Sequence, residues 1–257
     1  MIRFRSFLFA ALMLLNGHAA AQEFTLAAAA DLKFALDEIV AHYRQSHPAD
    51  TPRVIYGSSG KFATQIRQNA PYDLYFSADI AYPKQLERAG FAASPVRPYA
   101  LGRIVLWSAS LDASKMTLAS LNDSKITRIA IANPRHAPYG KRAEEALRAT
   151  GLWDTVKSKL VYGENIGQTA QFVQTGNAQV GIIALALALN PALSRNGKYW
   201  MIPDSLHKPL EQGFIVTARA RNNAGAQRFA DYMNSAAARA VMVKYGFVLP
   251  GEAGAAP

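Results

Sequence analysis

The chain has 257 residues, half of them hydrophobic, with no cysteine and a formal charge of +10. No disulfide framework and no lipid-bearing N-terminal cysteine are possible, so stability must come from a packed core, for which this length is ample. The basic residues are interspersed with acids and never run beyond two, as in Lys141-Arg142, which argues for a solvated surface with general anion attraction rather than a nucleic-acid face.

Arg3 and Arg5 precede an apolar run from Phe7 to Leu15, and Ala19-Ala20-Ala21 follows. A basic start, a short apolar middle and small residues at the −3 and −1 positions predict a secretory signal peptide over residues 1–21, leaving Gln22 first in the exported protein. The run is too short to span a bilayer, which takes about 20 residues. Without Arg3 and Arg5 the charge is +8.

Phe24 to Ala29 reads as a strand, and Leu32, Ala35, Leu36, Ile39, Val40 and Tyr43 then share one helical face. Asp31 stands at the N-cap position, where its carboxylate can accept first-turn N–H groups. After His47-Pro48, Val54 to Tyr56 is a second strand, Gly57-Ser58-Ser59-Gly60 a turn, and Phe62, Ala63 and Ile66 the inner face of a second helix. Tyr72 to Phe76 is a third strand, leading to a helix that ends near Gly90. Three strand–helix alternations predict a mostly parallel sheet flanked by helices.

A crossing to a second lobe is expected near Pro95 and Pro98. Strands at Arg103–Ser108, Ile126–Ala132, Leu160–Tyr162 and Gln179–Ile183, with helices at Gly140–Thr150 and Ile166–Gln174, predict a second α/β unit. Ala184–Leu193 reads as one buried helix, Trp200–Ile202 as a short strand, and Gly213–Thr217 as a strand returning to the first lobe. One or two helices over Asn222–Tyr245 and a disordered tail over Gly251–Pro257 complete the chain. The expected lobes are 22–99 with 214–257, and 100–213.

In open parallel sheets ligands sit beyond the carboxyl ends of the strands, where the following helices begin. Four such junctions stand out: Ala30-Asp31, Gly57 to Lys61, Pro138-Tyr139-Gly140 and Glu164-Asn165-Ile166. Unpaired first-turn amides and the helix dipole make each a neutral anion site, and Ser58 and Ser59 add hydroxyl donors. Lys61 and Lys141 read as solvated surface lysines, and Trp107, Trp153 and Trp200 as core or hinge packing. His136 can line the cleft but has no second metal-ligating residue near it in sequence.

At these junctions the chain resembles the periplasmic molybdate-binding proteins of ABC importers. The blocks that carry the resemblance are, in order, AAAADLKFAL, GSSGKFATQI, APYDLYFSAD, ANPRHAPYGKRAEEAL, GLWDTVKSKLVYGENI, QVGIIA and KYGF, spanning essentially the whole mature chain. The resemblance implies the two-lobed type II periplasmic binding-protein fold, each lobe a mostly parallel sheet flanked by helices with the ligand in the cleft. It further implies a non-enzymatic, monomeric carrier without cofactor that passes molybdate or tungstate to an inner-membrane permease and its ATPase. Ser59 falls on the family's binding serine, Tyr139 and Ile166 on positions that supply backbone donors, and Ala30-Asp31 on the junction where many members have serine or asparagine. Ser59 and Ile166 are thus expected to contact oxygens of the oxyanion, not to ligate the metal itself.

Two positions depart from the family pattern: Asp31, and Ala184 where many members have tyrosine. A carboxylate facing a dianion is repelled. Asp31 is therefore expected to turn away and cap its own helix; the alternative is that it accepts a proton from a ligand that still carries one, such as hydrogen phosphate or a phosphonate. Other ligands kept open are sulfate and small organic acids. An exported serine hydrolase is disfavoured, because Gly-Ser-Ser-Gly is not the Gly-x-Ser-x-Gly elbow and no histidine and acid stand in an evident triad relation.

Overall fold

A computed structural model describes residues 22–252; the expected signal peptide and most of the expected tail lie outside them. Among the described residues ten strands form two five-stranded sheets. The first contains β1 (Gln22–Ala29), β2 (Asp50–Gly57), β3 (Leu74–Ser77), β4 (Arg97–Gly102) and β10 (Leu210–Val216), in the order β2-β1-β3-β10-β4. The second contains β5 (Ile104–Ser108), β6 (Ile129–Ala132), β7 (Leu160–Gly163), β8 (Val180–Ala184) and β9 (Lys198–Met201), in the order β7-β6-β8-β5-β9. In each sheet three neighbouring strands run parallel and the other two join antiparallel, so the lobes share one topology without a sequence repeat.

The helices are α1 (Lys33–Ser46), α2 (Ser59–Arg67), α3 (Ala81–Arg88), α4 (Pro138–Ala149), α5 (Trp153–Val156), α6 (Ile166–Gln174), α7 (Leu185–Ala188), α8 (Pro191–Ser194), α9 (Ala224–Tyr232) and α10 (Ala236–Lys244). They cover both faces of the first sheet, so its central strand β3 is buried along its whole length while the edge strands β2 and β4 carry exposed residues. Successive strand side chains point to opposite faces. Thus Phe24, Leu26, Ala28, Leu74, Phe76, Phe214 and Val216 pack with α1, α9 and α10, whereas Ala27, Tyr75 and Ile215 pack with Phe62, Ala63 and Ile66 of α2 and Leu86 of α3. Among the described residues no helix is long and apolar enough to cross a membrane.

Several local expectations change. Arg97–Gly102 is the edge strand of the first sheet, paired with β10, where Pro98 is tolerated because an edge strand leaves one side unpaired. The chain passes between the sheets at Arg103 and returns between Met201 and Leu210. Ala184–Leu193 is not one helix: α7 ends before Asn190, whose side chain caps α8 through the Ala192 N–H at 2.9 Å, with Pro191 in its first turn. Ser235 similarly separates α9 from α10, accepting from the Ala238 N–H.

Candidate functional site

The carboxyl ends of β1, β2, β6 and β7 meet where the lobes face one another. The next helical turn after each is, in order, Ala30–Leu32 leading into α1, then α2, α4 (five residues past β6) and α6. Together they surround a small cavity lined by Ala29, Ala30, Asp31, Gly57, Ser58, Ser59, Ala78, Ala137, Pro138, Tyr139, Asn165 and Ile166. All four junctions contribute, and among the described residues no lysine, arginine or histidine side chain is in the lining.

The donors follow from the way the helices start. The first intrahelical bonds are Phe62 N–H to Ser58 O, Lys141 N–H to Ala137 O and Thr169 N–H to Asn165 O, each 3.1 Å. Amides ahead of these have no partner along their own helix, and Ser59, Tyr139 and Ile166 are among them. On α6 the Gln168 N–H is taken by the Asn165 carboxamide at 3.0 Å, and the Gln168 side chain accepts from the Glu164 N–H at 2.7 Å. This reciprocal cap fixes the chain direction so that the Ile166 and Gly167 amides lead the helix. On α4, Pro138 in the first turn has no N–H to satisfy and leaves Tyr139 and Gly140 to point outward.

Ser59 is buried, and its Oγ accepts from the Ala78 N–H at 3.0 Å while Tyr75 Oη donates to its carbonyl at 2.8 Å. With one lone pair so occupied, the Ser59 hydroxyl hydrogen is left to donate. Ser58 differs. Its Oγ donates to His136 O across the cleft at 2.6 Å and lies 2.9 Å from His136 Nδ1. Gly60 N–H also donates to His136 O, at 2.9 Å. Glu164 sits 3.8 Å from His136 Nε2 and pairs with Lys61, whose side chain stays half exposed, so Lys61 is a solvated lysine that also bridges the lobes. Burial holds the imidazole below its ordinary pKa, the Glu164 charge opposing and Lys61 reinforcing that effect.

Ser58, His136 and Glu164 thus stand in the outline of a nucleophile, base and acid, which the sequence alone does not suggest. The hydroxyl hydrogen is committed to a carbonyl oxygen, however, so Nδ1 acts as donor to Oγ and is not free to take its proton. The group is a clasp that holds the closed lobes together. Among the described residues no cluster of three metal-ligating side chains occurs.

Asp31 does not cap its helix. It lies inside the Ala30–Leu32 turn, buried, and no side-chain capping bond is made there. Its Oδ2 accepts from Tyr139 Oη at 3.0 Å and from Gln212 Nε2 at 2.9 Å, and Gln212 Nε2 also reaches Tyr139 Oη at 3.1 Å. Burial pushes the carboxyl up to about 6, against the lowering effect of the Gln212 and Tyr139 bonds. Burial, reinforced by the Asp31 charge, raises the Tyr139 phenol. Two long-range donors hold Oδ2, and the local Asp31 and Leu32 amides add a smaller lowering effect. Gln212 carried only a faint sequence signal, a polar residue at an inward position of β10 between Leu210 and Phe214. Ala184 is buried at the end of β8, opposite Ile104 in the register, and offers no hydroxyl.

Two α/β lobes of one topology, joined by short crossings and closed over a cavity of helix starts, define a binding protein that engulfs a small solute. The chain belongs to the bacterial extracellular solute-binding proteins, whose family model matches residues 24–248. It is 34% identical over 234 residues to the molybdate-binding protein ModA of Azotobacter vinelandii, covering 90% of this chain and 92% of that protein. It is also 34% identical to ModA of Rhodobacter capsulatus, with 90% of each chain covered. The solved periplasmic molybdate-binding protein of Azotobacter vinelandii superposes with a TM-score of 0.83 at 30% identity, covering 88% of this chain and 99% of that one. These are carriers, not enzymes.

Proposed function

We propose that this protein captures molybdate, and tungstate as its near-isostere, in the periplasm and delivers it to an inner-membrane ABC permease and its ATPase. The observation that carries the reading is the cavity itself: four helix starts and the Ser59 hydroxyl converge on it, and no cationic side chain lines it. Helix N-termini stabilise a fully deprotonated oxyanion through fixed dipoles at little reorganisation cost. Ser59, Tyr139, Ile166 and the Ala30-Asp31 turn supply contacts to ligand oxygens, with Tyr139 and Ile166 acting through backbone N–H groups. The relatives named as molybdate-binding support the ligand. The protein acts as a monomer, and export removes residues 1–21.

Because a hydrogen bond to a charged group contributes about 1.5–3 kcal/mol, Ser59→Ala is expected to weaken molybdate binding by that amount. Competitive displacement monitored by intrinsic tryptophan fluorescence measures it. An unchanged Kd for Ser59→Ala would remove Ser59 from the site.

A further inference from the structure

Asp31 is 1% exposed and lines the anion cavity, yet only half of its carboxylate is accounted for. Oδ2 holds the two hydrogen bonds from Tyr139 and Gln212. Oδ1 is buried with no partner, and so is Gln212 Oε1 in the same cluster. A buried network with two acceptors and no donor for either is short of hydrogen, and an unmet buried acceptor is costly. No ion pair among the described residues includes Asp31. The titratable groups that face it are phenols, Tyr139 from α4 and Tyr99 from β4, and Gln212 from β10 is neutral. No cationic side chain faces it, only the Gln212 and Tyr139 hydrogen bonds and the Asp31 and Leu32 amides favour its ionised form, and the ligand brings two more charges.

We propose that the oxyanion is bound together with one proton, shared between Asp31 Oδ1 and a ligand oxygen, so that capture is proton-coupled. The proposal rests on the oxyanion reading of the cavity. The proton comes from solvent as the lobes close. With Oδ2 already accepting two bonds, Oδ1 is the oxygen that carries it, and the resulting O–H becomes one more neutral donor among the helix amides. Burial already raises the carboxyl, which brings this proton within reach near neutral pH. Opening of the lobes separates Tyr139, on the second lobe, from Asp31 on the first. The carboxyl is then hydrated and ionises, so proton and anion leave together for the permease.

Linkage fixes the sign: a complex that holds one more proton than its separated partners binds more weakly as pH rises, tenfold per unit above the pKa of the free carboxyl. His136, also at the cleft, is held below its ordinary range and stays neutral from pH 7 to 9. Calorimetric titration of the mature wild-type protein with sodium molybdate, in two buffers of different ionisation enthalpy, counts the protons directly. About one proton taken up per molybdate is expected, with Kd rising about a hundredfold between pH 7 and 9. Asp31→Asn is expected to take up none, to show a flat pH profile, and to bind more tightly than wild type at pH 9. A wild-type uptake of zero with a flat profile overturns the proposal while leaving the oxyanion reading intact. If folded wild type and folded Asp31→Asn both fail to bind molybdate and tungstate at every pH, the oxyanion reading falls and the proposal falls with it.

Discussion

Replacing Gly60 by leucine is expected to raise the Kd for molybdate about a thousandfold while leaving the ligand-free protein as stable as wild type. A Cβ at position 60 would lie 2.7 Å from His136 O and 3.0 Å from His136 Cα, both backbone atoms of the opposite lobe. Within its own lobe the nearest atom is Tyr82 Oη at 3.0 Å, the far end of a side chain that can swing aside. The clash therefore arises only when the lobes close. Closure brings the Gly60 and Ser58 bonds to His136 and the Lys61–Glu164 pair, together with the second-lobe amides that reach the ligand. At about 1 kcal/mol for each neutral bond and 1.5–3 for a bond to a charged ligand, losing the closed state costs about 4 kcal/mol, or three orders of magnitude in Kd. Leucine is a better helix former than glycine, so α2 itself does not suffer. Thermal unfolding of the apoprotein and titration of the ligand measure the two halves separately. A variant that binds as tightly as wild type would show that the clasp is not part of the bound state.

Gly140→Ala is expected to act in the opposite way, on folding rather than closure. Here the added Cβ would press into the carbonyl oxygen of Ala132, and would lie 2.5 Å from the Ala132 carbonyl carbon and 3.0 Å from Pro134 N. All are backbone atoms of the same lobe, at the end of β6 and the loop after it, so no rotamer change relieves them. The N-terminus of α4 must lift off the sheet, which carries the Tyr139 amide away from the cavity and strains the core between α4 and β6. Overpacking of this kind costs about 3 kcal/mol. For a protein of this size that lowers the Tm by roughly 10 °C. Differential scanning calorimetry reads it directly, and a shift under about 2 °C would mean that α4 can reseat without penalty.

The lobes were legible because their strands are buried on both faces and their helices carry one apolar side, so runs and periodicities survive in the sequence. The four helix starts were legible for a related reason: small residues and caps such as Asn165 are local signals, complete within four or five positions. Asp31 was misread because the same local logic applies to it. An aspartate ahead of a helix is a good cap by every nearby criterion, and the donors that claim it are 108 and 181 residues away. The clasp was hidden likewise, since Ser58 and His136 are 78 residues apart and meet only across closed lobes. The edge strand Arg97–Gly102 was lost to Pro95 and Pro98, which read as a linker until β10 is in place beside them. Contacts set by closure and by strand order are long-range facts that no window of residues contains.

If helix amides and a hydroxyl, with no cationic side chain, make up the site, it should select a tetrahedral dianion of the size of molybdate. Titration calorimetry of the mature wild-type protein at pH 7 with molybdate, tungstate, sulfate and phosphate tests it most directly. One molybdate or tungstate is expected to bind per chain, each far more tightly than sulfate or phosphate. Binding of sulfate or phosphate at equal or higher affinity, or no binding of molybdate, would contradict it.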